Sequence, residues 1–118
     1  MASIKVFADL MSQPSRALVM FCRVTKIPHE FKSIMIKKGE HQTEEMTKLN
    51  PFQKMPFIVE NGKSLTESMA ILRYLTNVHE VADHWYPKAP MDQQKVDAYL
   101  HWQHTNTRLQ CAMYFQVK

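Results

Sequence analysis

Apolar positions recur along this chain with two different periods. Ile4-Lys5-Val6-Phe7-Ala8 is a brief β-branched and aromatic run closed by Asp9, which predicts a short buried strand. After it the period lengthens. Ala17, Leu18, Phe21, Cys22 and Thr25 fall at i, i+3 and i+4 spacing and predict an amphipathic helix from Pro14 to about Lys26, ended by Ile27-Pro28. Phe31 to Ile36 predicts a second strand, Lys37 to His41 a polar loop, and Thr43 to Leu49 a short helix broken by Asn50-Pro51. Phe57–Glu60 and Lys63–Leu65 flank Asn61-Gly62, the strongest short hairpin signal. Thr66-Glu67-Ser68 then opens a helix with Ile71, Leu72, Tyr74, Leu75 and Val78 on its apolar face.

The order is β-α-β-α-β-β-α. A helical crossover makes the first two strands parallel, and the hairpin is antiparallel. The predicted fold class is therefore α/β, with a mixed four-stranded sheet and helices on both faces. Residues 82–90, with Pro87 and Pro90, predict a linker after a domain spanning 1–81. From Asp92 a helical pattern runs to Lys118, with Val96, Tyr99, Leu100 and Trp102 round much of its circumference. Such a helix expects to be buried by others, so 91–118 is expected to begin an all-α domain.

Composition narrows the classes. Hydrophobic residues make up 45% of the 118, enough for a packed core. No apolar run reaches the roughly 18 residues of a membrane span, and the N-terminus lacks a signal-peptide apolar region. Cys22 and Cys111 are far apart and form no C-x-x-C, which predicts a reduced, cytoplasmic protein. The net charge of +4 holds no basic run longer than Lys37-Lys38, and no basic-aromatic module suggests nucleic acid.

Four stretches carry candidate chemistry. Ser12 stands two residues before Pro14. If Ser12 caps the helix, Pro14 sits at N2 without an N–H to offer; if Pro14 takes N1, Gln13 is the cap and the Ser12 hydroxyl is free at an anion-favouring helix N-terminus. Both readings stand on spacing alone. Pro56 in "KMP" is either an ordinary strand-start proline or one that leaves the Met55 backbone open to an extended peptide ligand. Glu67 and Ser68 either cap a helix or clamp a ligand's ammonium and carboxylate. His101 and His104 have a metal-pair spacing but no third ligand, so no metal is predicted, and Cys22 is expected in the core.

Together, "DLMSQPSRA", "KGEH", "NPFQKMPFIVENG", "LTESMAILRYL", "WYPK" and "VDAYLHWQHTNTRLQCAMYF" resemble, in order, the theta class of glutathione transferases. The resemblance implies a thioredoxin-like domain that binds glutathione, and a helical domain that receives a hydrophobic electrophile. It implies that the Ser12 hydroxyl activates the glutathione sulfur, with Arg108 nearby. It implies that His41 and Lys54 hold the glycyl end, that the Met55 backbone pairs with the cysteinyl unit next to a cis Pro56, and that Glu67 and Ser68 hold the γ-glutamyl end. Thr105 stands where some relatives carry an aspartate. Glutathione is implied as co-substrate without a further cofactor, and full-length members are homodimers. Tyrosine-dependent classes are disfavoured because Phe7 and no tyrosine occupies the first strand's end; thiol-disulfide chemistry is disfavoured because Ser12 stands where a cysteine is needed. The pattern stops as the second domain begins, so the chain is expected to be a fragment, a short isoform or an incomplete gene product. The alternative function is a truncated non-catalytic glutathione-binding or protein-interaction module.

Overall fold

The computed structural model describes residues 4–117. Residues 1–3 and Lys118, which the sequence assigns to the first and last segments, lie outside the described residues. β1 (Ile4–Ala8) is an inner strand of a four-stranded sheet ordered β2-β1-β3-β4. β2 (His29–Ser33) runs parallel to it, β3 (Phe57–Glu60) antiparallel, and β4 (Lys63–Thr66) antiparallel to β3. This is the mixed sheet that the order of elements predicts.

Strand alternation sorts the core into two layers. Phe7 stacks on Phe57 with ring centroids 4.7 Å apart and planes 3° apart. Ile34, Met46 and Met55 complete that cluster, and Met46 comes from α2 (Glu44–Leu49). Ile4, Val6, Ala8 and Ile58 face the other way. There α1 (Gln13–Val24) contributes Leu18, Val19 and Cys22, and α3 (Ser68–Val78) contributes Ile71 and Leu75. Helix α1 packs on β1 and on α3, and α3 on β3 and β4.

Several boundaries differ from expectation, each for a local reason. Helix α1 ends at Val24, not near Lys26, because Lys26 adopts a left-handed φ of 59°. Lys26 N–H donates to Arg23 O at 3.2 Å and Ile27 N–H to Cys22 O at 3.0 Å, a Schellman closure with Ile27 buried behind it. The second strand is His29–Ser33 and not Phe31–Ile36. Its partner β1 ends at Ala8, whose carbonyl accepts from Ile34 N–H at 3.0 Å, so nothing remains for Ile36 to pair with. The polar loop contains two 3-10 turns, Ile36–Lys38 and Glu40–Gln42, joined by Gly39 at φ 73°. The hairpin forms as predicted, with Asn61 at φ 52° and Gly62 at φ 75°. Val78, expected on the core face, is the last residue of α3 and lies exposed.

The chain divides into two compact units, Met1–His79 and Glu80–Lys118. In the second, a 3-10 turn at Asp83–Trp85 precedes α4 (Pro90–Thr105) and α5 (Thr107–Val117). The single helical run expected from Asp92 is thus two helices. Asn106 breaks it with φ −110° and ψ −90°, and its side-chain amide donates to Trp102 O at 2.8 Å. A short amide that competes for a helix carbonyl favours such a break. Trp102 and Tyr99 are exposed and no residue of α4 is buried. Among the described residues no helix is long and apolar enough to cross a membrane.

Candidate functional site

The register of the sheet gathers the candidate residues of the first unit. Phe7, Phe57 and Thr66 form one row across β1, β3 and β4. Just beyond that row β1 ends, β3 begins and β4 ends. The β1–α1 turn with Ser12, the Lys54-Met55-Pro56 approach to β3, and the β4–α3 turn with Glu67 and Ser68 therefore share one end of the sheet. β2, parallel to β1, sends the segment carrying His41 from the same end.

Ser12 occupies the N-cap position of α1, with Gln13 and not Pro14 as the first helical residue. Gln13 is therefore not the cap. The Ser12 backbone is engaged: its N–H donates to Asp9 O at 2.9 Å and its carbonyl accepts from Arg16 N–H at 3.0 Å. Its hydroxyl makes no cap bond. Pro14 at N2 has no N–H to give. Ser15, at N3, instead turns its own hydroxyl to accept from Asp9 N–H at 3.3 Å. Half-buried, the Ser12 hydroxyl is thus uncommitted at a helix N-terminus.

The Met55–Pro56 peptide bond is cis, and both side chains are buried. Asn50, 1% exposed, braces the approach. It donates from Nδ2 to Lys54 O at 2.8 Å and accepts at Oδ1 from Phe52 N–H at 3.1 Å. Gln53 turns the chain at φ 56°, and the Lys54 side chain is exposed. Ladder pairing begins only at Phe57, and among the described residues Met55 N–H and C=O have no hydrogen-bond partner.

Glu67 is a non-glycine residue at φ 72°, a conformation costing on the order of 1–3 kcal/mol and concentrated at ligand clamps. It sits at the N-cap of α3 without a side-chain cap bond, so simple capping does not account for it. Ser68, at the first position of α3, is buried, and among the described residues its hydroxyl has no partner. The atom that is itself buried without a hydrogen-bond partner in this region is His41 Nδ1. A buried polar atom without a partner is the kind of group a ligand satisfies.

Arg108 lies on α5 in the second unit, where its Nη1 is 2.9 Å from His104 Nδ1. The cluster at the sheet end is built from the first unit alone. His104 Nδ1 is thereby engaged with a guanidinium. Burial pushes the Cys22 thiol up to about 11, which keeps it protonated and unreactive in the core; Cys111 is exposed. An open groove of about 390 Å³ lies over the α2 face, lined by Lys5, Phe7, Lys32 and Leu49 among others. It includes none of the orphaned groups. Two residues that shape the site carry no sequence signal beyond ending an element: Asp9 reads as a strand stop and Asn50 as a helix breaker.

The model of the glutathione S-transferase N-terminal domain matches residues 2–77. Glutathione S-transferase theta-1 of Mus musculus is 39% identical over 108 residues, covering 92% of this chain and 45% of that protein. Glutathione S-transferase T1 of Arabidopsis thaliana is 43% identical over 115 residues, covering 97% and 47%. The crystal structure of human glutathione transferase theta-2 with glutathione and an unknown ligand superposes with a TM-score of 0.84 at 37% identity, covering 86% of this chain and 42% of that one. The chain spans about half the length of the curated relatives it matches. With its thioredoxin-like sheet, its cis Pro56 and this similarity along residues 2–77, the chain belongs to the glutathione S-transferase N-terminal domain family, with relatives of the theta class.

Proposed function

We propose that this chain carries the glutathione-binding half of a theta-class transferase, which joins the glutathione thiolate to hydrophobic electrophiles. The observation that carries the reading is the uncommitted Ser12 hydroxyl at the N-terminus of α1, on the same sheet end as the unpaired Met55 backbone. Glutathione is an extended tripeptide with a carboxylate and an ammonium at one end, a carboxylate at the other and a thiol between. Met55 N–H and C=O would pair with the cysteinyl unit. The Glu67 carboxylate would accept from the γ-glutamyl ammonium, and Ser68 would hold the carboxylate beside it. His41 and Lys54 would take the glycyl carboxylate. Residues 1–81 would form the glutathione-binding domain, 82–90 a linker, and 91–118 the start of the helical domain.

The chemistry has a definable cost. A free thiol with pKa near 8.5 is only about 3% thiolate at pH 7. Lowering it by two units takes about 2.7 kcal/mol of preference for the anion. A hydrogen bond to a charged acceptor supplies about 1.5–3 kcal/mol, and a helix N-terminus about 0.3–1 more. The Ser12 hydroxyl donating to sulfur, with α1 behind it, is therefore sufficient in kind and size. The thiol proton leaves to solvent. The sulfur lone pair then forms a C–S bond while the leaving group departs with its electron pair. Arg108 would add positive charge near the sulfur. The assembled enzyme would be a cytoplasmic homodimer, with most of its electrophile pocket supplied by the helical domain.

The test is glutathione binding by calorimetry, with ultraviolet thiolate absorbance, for the 118-residue chain and Ser12→Ala. The expected result is binding by both, with a thiolate band only when Ser12 is present. Binding without a Ser12-dependent band would favour a non-catalytic glutathione-binding module. A folded chain that fails to bind glutathione would refute both.

A further inference from the structure

Asp9 closes β1 and is 8% exposed, yet no cation forms an ion pair with it among the described residues. All four of its polar atoms are used. Its N–H donates to Ser15 Oγ at 3.3 Å, and its carbonyl accepts from Ser12 N–H at 2.9 Å. Oδ1 accepts from Met11 N–H at 2.9 Å, and Oδ2 accepts from Ile36 N–H at 2.9 Å, 27 residues away. Both partners of the carboxylate are donors. An asparagine would turn an NH2 against one of them, so an ionised carboxylate is the side chain that fits.

The far arm leads to His41 by short steps. Ile36 O accepts from Gly39 N–H at 2.9 Å, and Gly39 O from Gln42 N–H at 3.0 Å. Glu40 Oε1 closes the same loop by accepting from Met35 N–H at 2.7 Å. One carboxylate thus ties the Ser12 turn to the His41 segment. A negative charge three residues from Ser12 disfavours a second anion nearby. Its place at this end is therefore explained by geometry and not by electrostatic help to a thiolate.

We propose that Asp9 is a positioning residue that locks the Ser12 turn to the 34–42 segment, so that the sulfur end and the glycyl end of the glutathione site are set against each other by a single side chain. The proposal rests on the glutathione reading above. Two variants break the lock from opposite sides. Asp9→Asn removes one acceptor. Ile36→Pro removes the far donor while leaving Asp9 intact, and it suits the start of a 3-10 turn that follows the extended Met35.

The measurements are amide hydrogen exchange of the free chain, then glutathione affinity and thiolate absorbance, with Ser12→Ala alongside. In both variants exchange is expected to rise about tenfold or more at residues 10–12 and 35–42 together, with the β3–β4 hairpin unchanged as the sign of an intact fold. Affinity is expected to fall about tenfold and the thiolate band to weaken. A turn that only braces itself would not respond to Ile36→Pro. Exchange that stays low at residues 10–12 in Ile36→Pro overturns the lock whatever glutathione does. Loosened segments with wild-type affinity and band overturn its bearing on the site, provided Ser12→Ala loses the band. If Ser12→Ala keeps the band, the glutathione reading itself fails, and the role given to Asp9 at the sulfur fails with it.

Discussion

Asn50→Ala is the sharpest test of how the sheet end is held. Asn50 is 1% exposed, and its amide bridges Lys54 O and Phe52 N–H, so that one side chain shapes the loop delivering Met55 to β3. Each such bond is worth about 1 kcal/mol net, and each partner stranded without water costs about 1–3 kcal/mol. Because both bonds are only partly buried, water recovers some of that loss. The expected destabilisation is about 2–4 kcal/mol. Small domains have about 5–15 kcal/mol of stability, so the variant should fold. Its melting temperature should drop by roughly 10 °C or more, at about 4–8 °C per kcal/mol for this size. The assay is urea unfolding followed by far-ultraviolet circular dichroism, with the m-value as a check that the unfolded state is unchanged. Asn50→Asp separates the two arms. It keeps an acceptor for Phe52 N–H and sets an oxygen against Lys54 O, so it should be no more stable than Asn50→Ala. A loss below about 0.5 kcal/mol for Asn50→Ala would refute the reasoning, as would an aspartate variant of wild-type stability.

Three further outcomes follow from the core and the two thiols. Phe57→Ala removes a fully buried ring stacked on Phe7 and should cost about 3–5 kcal/mol in the same urea titration; a loss under about 1 kcal/mol would contradict the stacked core. Cys22 is held up to about 11 by burial, against 9.0 for a free thiol, so the unfolded chain ionises first as pH rises. Stability should therefore decline from about pH 9 to 11, by at most about 2–3 kcal/mol, and Cys22→Ala should remove that part of the slope. At pH 8 a disulfide reagent should modify Cys111 in the native chain and Cys22 only after denaturation; two fast thiols would overturn the assignment.

What was legible in the sequence is what local chemistry determines. Asn61-Gly62 announces its hairpin because both residues tolerate positive φ. The α1 face announces Leu18 and Cys22 by spacing. The limits of β2 were not legible, since they depend on where its partner ends, at Ala8, which pairs with Ser33 but lies 25 residues before it in sequence. Lys26 and Asn106 end helices through bonds that only the folded backbone reveals. Spacing alone left Ser12 between cap and chemistry. The backbone makes it the N-cap residue and still leaves its hydroxyl unbonded, a combination neither alternative contained. Asp9 and Asn50 were missed because their partners, Ile36 and Lys54, are invisible to periodicity.

Departures from local preference occur at both ends of the first unit. At the hairpin end, positive φ falls on Asn61 and Gly62, residue types suited to it, and on Lys26, whose left-handed turn closes α1. At the opposite end it falls on Gln53 and Glu67, which are not. Among the described residues that same end has a hydroxyl without a cap bond at Ser12, an unpaired backbone at Met55, and a buried atom without a partner at His41 Nδ1. Two left-handed residues cost on the order of 2–4 kcal/mol together. The fold offsets this with the Phe7–Phe57 stack beneath the row and the Asp9 and Asn50 braces beside it. The groups left unsatisfied at that end are donors and acceptors with a carboxylate at Glu67, which agrees with the peptide-like ligand of the proposed function. A flat apolar ligand would satisfy none of them.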